Sequence, residues 1–214
     1  MRILNSPITW GLALVGAGVL FLLQNLGVLG PFDNIGWTIL VGLAGVLFLG
    51  AFVGDVNRWW ALIPGLTLLG LAALIGLGDA SPELAERLGG PLFLGAIGLS
   101  FWLVYLTHRE HWWAVIPGGV LLTLAAVAAV PNRVSGFATG GLFFLGVALT
   151  FGLLYVLPTP QGRMDWAVYP AAASLALGVL VLIGAGGVMG YLWPAVLIGA
   201  GLLLVVRAMR ARSN

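Results

Sequence analysis

The sequence WWALIPG at residues 59–65 recurs as WWAVIPG at residues 112–118 and, more loosely, as DWAVYPA at residues 165–171. The second Trp and the Pro of each copy follow those of the preceding copy by 53 residues, whereas Asp165 replaces the first Trp in the third copy. Each copy opens a long apolar run, and another apolar run separates it from the next copy. This pattern predicts a membrane protein built from tandem helical hairpins.

The composition supports a chain whose surface faces lipid. Of its 214 residues, 61% are hydrophobic and only 7% are charged, whereas soluble domains carry about 25% charged residues. There is no cysteine, so disulfides and thiolate metal sites are excluded. Nine basic residues against seven acids are too sparse for a nucleic-acid-binding surface, which needs clustered cations.

A helix needs about 20 mostly apolar residues to cross a bilayer. Eight runs of about that length occur, at roughly residues 8–30, 35–54, 58–78, 89–107, 110–130, 137–157, 165–186 and 189–207. These runs occupy about three-quarters of the chain and leave only short loops. We therefore expect a single all-α domain, residues 1–214, with eight transmembrane helices and no soluble domain.

The apolar runs between the Trp motifs also resemble one another. LSFWLVY at residues 99–105 matches LTFGLLY at residues 149–155, at an offset of 50 residues. The predicted unit is one hairpin of about 50 residues, used four times. Because each hairpin crosses the membrane twice, successive hairpins keep the same orientation. The four predicted hairpins span approximately residues 8–54, 58–107, 110–157 and 165–207.

The arginines predict the orientation, because cytoplasmic loops are enriched in basic residues. If the N-terminus is cytoplasmic, seven of the nine arginines lie on the cytoplasmic side: Arg2, Arg58, Arg109, Arg163, Arg207, Arg210 and Arg212. Only Arg87 and Arg133 lie on the other side. Both termini are therefore predicted to be cytoplasmic, in a plasma (inner) membrane of the bacterial type.

The tryptophans of the repeated motif are predicted to anchor the chain at the membrane surface, where amphipathic rings are favoured. These interfacial anchors are Trp59, Trp60, Trp112, Trp113 and Trp166. A role in stacking a ligand is the alternative interpretation.

The prolines of the motif, Pro64, Pro117 and Pro170, are predicted to lie about two turns inside their helices. A span that began at Pro64 and ended at Gly78 would cover only about 22 Å. An interior Pro kinks a helix, so each of these helices is expected to bend. Inheritance by duplication explains the three kinks, and a gating hinge is the alternative.

Thirty-three glycines are expected to serve helix packing, because small residues let helices approach closely in lipid. Gly50 and Gly54 form the motif Gly-x-x-x-Gly. Such a face serves packing inside the chain or association with a second chain, and the sequence does not separate the two.

One loop is predicted to form a helix of its own, over residues 81–89. Ser81 is placed as an N-cap, Pro82 follows at the first helical position, and Gly89 is expected to end the helix. This short helix is expected to lie on the outer membrane surface.

No catalytic centre is predicted. No Asp, Glu, His or Arg lies near the middle of any predicted span, although proton-coupled carriers and voltage sensors need such groups. No nucleophile, metalloprotease or phosphate-binding motif occurs. His108 and His111 could share a metal or a pigment, but a solvated polar boundary is the preferred interpretation. We therefore expect no enzyme, cofactor or metal site.

Two segments resemble the transmembrane region of bacterial LiaI/LiaF-type envelope-stress proteins. GAGVLFLLQNLG at residues 16–27 is similar to the family's hairpin start, and WPAVLIGAGLLL at residues 193–204 is similar to its return span. The resemblance implies a plasma-membrane regulator that modulates a sensor kinase. This chain departs from the family in its eight predicted spans and in lacking the family's soluble C-terminal domain.

Two functions follow as expectations. The first is a non-catalytic structural, accessory or regulatory subunit that packs against another membrane protein, or against a second copy, through its small-residue faces. The alternative is a channel or facilitator for a small neutral or lipophilic solute. Membrane lipid is the other expected partner.

Overall fold

A computed structural model describes residues 34–131, 136–157, 159–160 and 162–184, together with residues 15, 18, 19, 22, 23, 26, 197, 198 and 201. The fold is all-helical, with no strand in the part of the chain described. In the continuously described residues, six α-helices follow one another: α1 Asn34–Gly54, α2 Leu62–Ala80, α3 Pro82–Thr107, α4 Val115–Ala128, α5 Gly136–Val156 and α6 Val168–Ile183. Three 3-10 turns precede α2, α4 and α6: Trp59–Ala61, Trp112–Ala114 and Asp165–Ala167.

Within the described residues, five helical segments are long and apolar enough to cross a membrane, which indicates a membrane protein. They are Asn34–Gly54, Trp59–Ala80, Pro82–Thr107, Ala138–Val156 and Asp165–Ile183. The predicted runs 8–30 and 189–207 fall outside the continuously described residues. The total of eight spans therefore stays a prediction, as do the orientation of the chain and its division into four hairpins.

The fifth predicted span, 110–130, is shorter than expected. Its apolar helix runs over Trp112–Ala128, and the α-helical part ends at Ala128. Pro131 follows, and the residue before a proline is disfavoured in the α conformation.

Each α-helix packs mainly on the helix before it and the helix after it, so the described helices form a row. The chain reverses between consecutive helices, and α1 and α2 show this directly. Gly45 lies near Leu69, and Leu49, four residues later on α1, lies near Gly65, four residues earlier on α2. The two helices are therefore antiparallel.

Glycines carry the contact between α1 and α2. A Cβ added to Gly45 would lie 2.9 Å from the carbonyl oxygen of Gly65 and 3.1 Å from the backbone nitrogen of Leu69. A Cβ added to Gly65 would lie 2.7 Å from the side chain of Leu49. The two backbones therefore touch, and only glycine fits at the crossing.

The same contact joins α3 and α4, 53 residues later in both helices. A Cβ on Gly98 would lie 3.1 Å from the carbonyl oxygen of Gly118 and 3.0 Å from the backbone nitrogen of Leu122. A Cβ on Gly118 would lie 2.9 Å from the indole of Trp102. Gly118 and Leu122 thus correspond to Gly65 and Leu69 of the earlier pair.

A reciprocal pair of Gly and Thr residues joins α4 to α5. Thr123 packs on Gly146, and Thr150 packs on Gly119. The hydroxyl of each Thr donates to the carbonyl of the glycine four residues before it, at 2.8 Å for Thr123 and 2.9 Å for Thr150. Each hydroxyl is thereby satisfied within its own helix, so the methyl groups and glycines provide the interhelical contact.

The prolines of the repeated motif differ in position from the prediction. The α-helix begins at Leu62, so Pro64 is its third residue; Pro117 and Pro170 are likewise third in α4 and α6. The first four backbone N–H groups of an α-helix have no intrahelical acceptor. A Pro in that first turn removes no α-helical hydrogen bond, and the kinks themselves stay a prediction. The 3-10 turn supplies the missing length, since Trp59–Ala80 has 22 residues.

The predicted helix over residues 81–89 is not separate. It forms the first part of α3, which is continuous from Pro82 to Thr107. Gly89 does not end the helix. It instead lets α3 approach α2 closely, since a Cβ at this position would collide with the side chain of Leu74 on α2.

The crossing at Gly98 generates a stability prediction. Gly98→Ala should lower the free energy of unfolding by about 1–3 kcal/mol, because the new methyl group meets backbone atoms that cannot rotate away. Gly95→Ala on the same helix is the matched control, since its Cβ would meet only the Cβ of Ala125, at 3.9 Å. Unfolding of the purified protein in mixed detergent micelles measures both losses. Equal losses would mean that α3 and α4 are not in backbone contact.

Candidate functional site

The three copies of the Trp motif lie at one end of the helix row, which we call the Trp end. In each copy the first three residues form the 3-10 turn and the α-helix starts at the fourth. The third residue of each turn, Ala61, Ala114 or Ala167, is completely buried. A larger side chain would not fit there, which explains why an alanine follows the second Trp in all three copies.

The second Trp of each copy packs against a phenylalanine of the helix before it. Trp60 meets Phe48, Trp113 meets Phe101 and Trp166 meets Phe151. Each pair has its ring centroids 6.1 Å apart and its planes at 70–79°, which is the favoured edge-to-face geometry. All three tryptophans keep an exposed face, as an interfacial anchor requires.

The first Trp of each copy reaches the second Trp of the next copy. The ring centroids are 6.0 Å apart for Trp59 and Trp113, and 6.5 Å apart for Trp112 and Trp166. Corresponding residues thus make corresponding contacts one motif later. Asp165 occupies the first Trp position of the third copy, so this series of ring contacts ends there.

The most deeply buried side chains also lie at this end. Val104, Tyr105, Val115 and Leu154 are fully buried and belong to one apolar cluster. Ser100 is equally buried, and its hydroxyl donates to the carbonyl oxygen of Ile97 at 2.6 Å. Around these side chains the Trp end is a packed core.

Arginines cover this core from outside. The guanidinium of Arg109 lies 4.6 Å from the ring centre of Tyr105, and that of Arg163 lies 4.0 Å from the ring centre of Tyr155. Both distances fit a cation–π contact. Arg58 instead pairs with Asp55, at 3.4 Å, on the protein surface.

The histidines do not form a metal centre with other side chains. The ring of His111 lies against Trp59, with the centroids 4.1 Å apart, and 5.8 Å from the ring of His108. Its Nδ1 is buried without a hydrogen bond to any described residue, and a carboxylate oxygen of Glu110 lies 3.8 Å away. No group of three or more His, Asp or Glu side chains in the described residues is placed to hold a metal ion. His111 instead contributes to the aromatic packing.

Gly50 and Gly54 lie in the last turns of α1, on an exposed face of that helix. A Cβ at either position would meet no atom of the described residues within 4 Å. Leu43 and Leu47 are exposed on the same helix. The spacing of these four residues, 4, 3 and 4, places them in one stripe. The opposite face carries Gly45 toward α2, so α1 packs inside the chain through a different glycine from the predicted pair.

The tertiary structure adds partners that the sequence analysis did not single out. Phe48, Phe101 and Phe151 contact the second Trp of the motif, and the alanines at the third motif position are completely buried. The sequence contains a signal for the phenylalanine contacts, because the three phenylalanines follow one another at 53 and 50 residues, close to the spacing of the tryptophans.

The ring contacts predict unequal roles for two tryptophans. Trp113→Leu should lower the free energy of unfolding more than Trp60→Leu, by about 1 kcal/mol or more, because each aromatic pair contributes about 0.5–1.5 kcal/mol. The ring of Trp113 contacts the rings of Phe101, Trp59 and His111, whereas among the described residues the ring of Trp60 has one aromatic neighbour, Phe48. Equilibrium unfolding in detergent compares the variants. Equal losses would contradict a structural role for the contacts between successive motifs.

No protein-family model, curated protein or solved structure matches this chain. The resemblance of residues 16–27 and 193–204 to LiaI/LiaF-type proteins therefore stays a prediction. Both segments also lie where the structure describes only single residues.

Proposed function

We propose that this chain is a non-catalytic multi-pass membrane protein that acts as a structural, accessory or regulatory subunit by packing against another membrane protein. The exposed stripe of α1, formed by Leu43, Leu47, Gly50 and Gly54, carries this proposal. Gly-x-x-x-Gly faces let a second helix approach until the backbones touch, and no described residue occupies this one.

The contrast within α1 supports an intermolecular role. Gly45 is the only buried residue of this helix, and it supplies the contact with α2. The Gly50 and Gly54 stripe is not needed for that contact, because it faces elsewhere on the helix. A lipid-facing surface has no need of two glycines at helical spacing, whereas a helix–helix interface does.

Several features of the chain support a role without catalysis. Away from their ends, the six helices contain no Asp, Glu, His or Arg. The polar side chains at helix contacts, Ser100, Thr123 and Thr150, donate to carbonyls of their own helices. Neither a proton relay nor a nucleophile follows from such an arrangement.

The proposed protein has eight spans in four duplicated hairpins, with both termini in the cytoplasm of a bacterial cell. The recurrence of the Phe–Trp, Trp–Trp and Gly–Gly contacts at offsets of 50–53 residues supports the duplication. The excess of arginines at the Trp end supports the orientation. The LiaI/LiaF resemblance is the support for a bacterial envelope regulator.

The alternative, a channel or facilitator, stays a prediction. A solute path needs polar groups that line a common passage. The described helices pack in a row, and no contact among them favours such a passage over the accessory role.

Side chains added to the α1 stripe test the proposal. Gly50→Leu and Gly54→Leu should separate the chain from its partner, because a Leu holds two backbones apart, while membrane insertion stays intact. The measurement is the mass and composition of the complex extracted from native membranes in a mild detergent. Gly90→Leu on α3 is the matched control, since a Cβ there also meets no described atom within 4 Å. A complex that keeps its size and composition in both stripe variants would refute this interface.

A further inference from the structure

The α5/α6 pair crosses at a different place from the other two pairs. The residues that correspond to Gly98 and Gly118, 50 and 53 residues later, are Ala148 and Ala171. The close contact instead involves Gly141, which precedes Ala148 by seven residues. Its Cβ would lie 3.3 Å from the carbonyl oxygen of a glycine on α6. The crossing has thus moved about two helical turns away from the Trp end.

A second sequence difference leaves space between α5 and α6 at the position where a side chain fills the gap between α3 and α4. In α3 the indole of Trp102 packs against Gly118. The corresponding residue of α5, 50 residues later, is Gly152, and a Cβ added there would meet no described atom within 4 Å. The result is a cleft of about 540 Å³ between α5 and α6, with Ala148, Gly152 and Ala171 in its wall.

Tyr155 connects this apolar cleft to a second pocket at the Trp end. Its side chain lines both the cleft and the neighbouring pocket of about 420 Å³, whose wall also contains Thr159 and Arg163. Gly162 closes the turn before Arg163 with a φ of 88°, a conformation that favours glycine. Its N–H donates to the carbonyl oxygen of Thr159 at 3.0 Å. The turn thereby places a guanidinium beside the mouth of the cleft.

The guanidinium of Arg163 has capacity for an anion. It lies over the ring of Tyr155 and makes no ion pair with any described residue. Asp165, the acid in the same loop, is exposed and forms no ion pair with it. Arginine binds phosphate oxygens through parallel N–H donors and is the preferred residue for such planar recognition.

We propose that the α5/α6 cleft binds one anionic glycerophospholipid, with an acyl chain beside Gly152 and the phosphate on Arg163. The two volumes fall within the range of about 300–1,000 Å³ that is typical of small-molecule sites. The apolar wall suits a hydrocarbon chain, and the arginine at its mouth complements a negative headgroup. In the predicted orientation the Trp end faces the cytoplasmic leaflet, where anionic lipids attract basic groups. The proposal does not depend on the partner of α1.

The wild-type protein is tested first, as the full chain in mild detergent. Phosphatidylglycerol and phosphatidylcholine with identical acyl chains are titrated and counted by native mass spectrometry. We expect one tightly held phosphatidylglycerol, bound about tenfold more tightly than phosphatidylcholine, the size of one charge-assisted contact. Equal binding of the two lipids would overturn the role of the phosphate.

Two arginine variants separate a defined site from general attraction of the surface for lipid. Arg163→Gln should weaken phosphatidylglycerol binding about tenfold and leave phosphatidylcholine binding unchanged. Arg109→Gln is the matched control, because Arg109 also covers a tyrosine. It lies beside the α3/α4 pair, in which Trp102 fills the space against Gly118. Equal loss in both variants would assign the binding to general surface charge and overturn the site.

Filling the cleft tests where the acyl chain lies. Gly152→Trp restores the residue found in α3 and should abolish binding of both lipids. Gly152→Leu, a smaller filling, provides a second variant, and the unfolding midpoint shows that each variant is folded. Retained binding in a folded Gly152 variant would overturn the cleft. A wild-type chain that binds neither lipid but forms a dimer, which Gly152→Trp dissociates, would assign the cleft to a second copy instead.

Discussion

Gly45 against Gly65, and Gly98 against Gly118, bring consecutive helices of this chain into backbone contact, and the rest of the structure depends on that approach. Lipid removes the hydrophobic force between helices, because hydrocarbon tails are as apolar as leucine. Association then rests on close van der Waals contact, and a single Cβ at these crossings would lie about 3 Å from backbone atoms. Glycine is therefore a packing residue here.

The Trp end joins the successive helix pairs to one another. The second Trp of each motif holds a phenylalanine of its own pair, and the first Trp reaches across to the next pair. Asp165 and Gly152 stand where the α3/α4 pair has Trp112 and Trp102, so the α5/α6 pair differs from it at two aromatic positions. The change at Gly152 leaves this pair with a cleft of about 540 Å³.

Much of the helical organisation was predictable. Hydropathy placed the helices within a few residues for α1, α2, α5 and α6, because a span needs a fixed length of apolar sequence. The errors have local physical causes. Pro64 lies in the first turn because a 3-10 turn precedes the α-helix, and Gly89 serves contact with Leu74 rather than helix termination. Helix propensity describes a residue in isolation, whereas the positions of Pro64 and Gly89 in their helices depend on the surrounding structure.

Composition and the spacing of WWALIPG by themselves determined an all-helical chain with several membrane-length segments, because the backbone must satisfy its own hydrogen bonds in lipid. The sequence also showed the glycines, without showing what each one faces. Only the tertiary structure decided that Gly45 packs inside the chain while Gly50 and Gly54 face no other described residue, and that Gly141 rather than Ala148 lies at the α5/α6 crossing. The physical reason is that helix rotation and crossing position are set by side chains on the neighbouring helix, which hydropathy along one segment does not report.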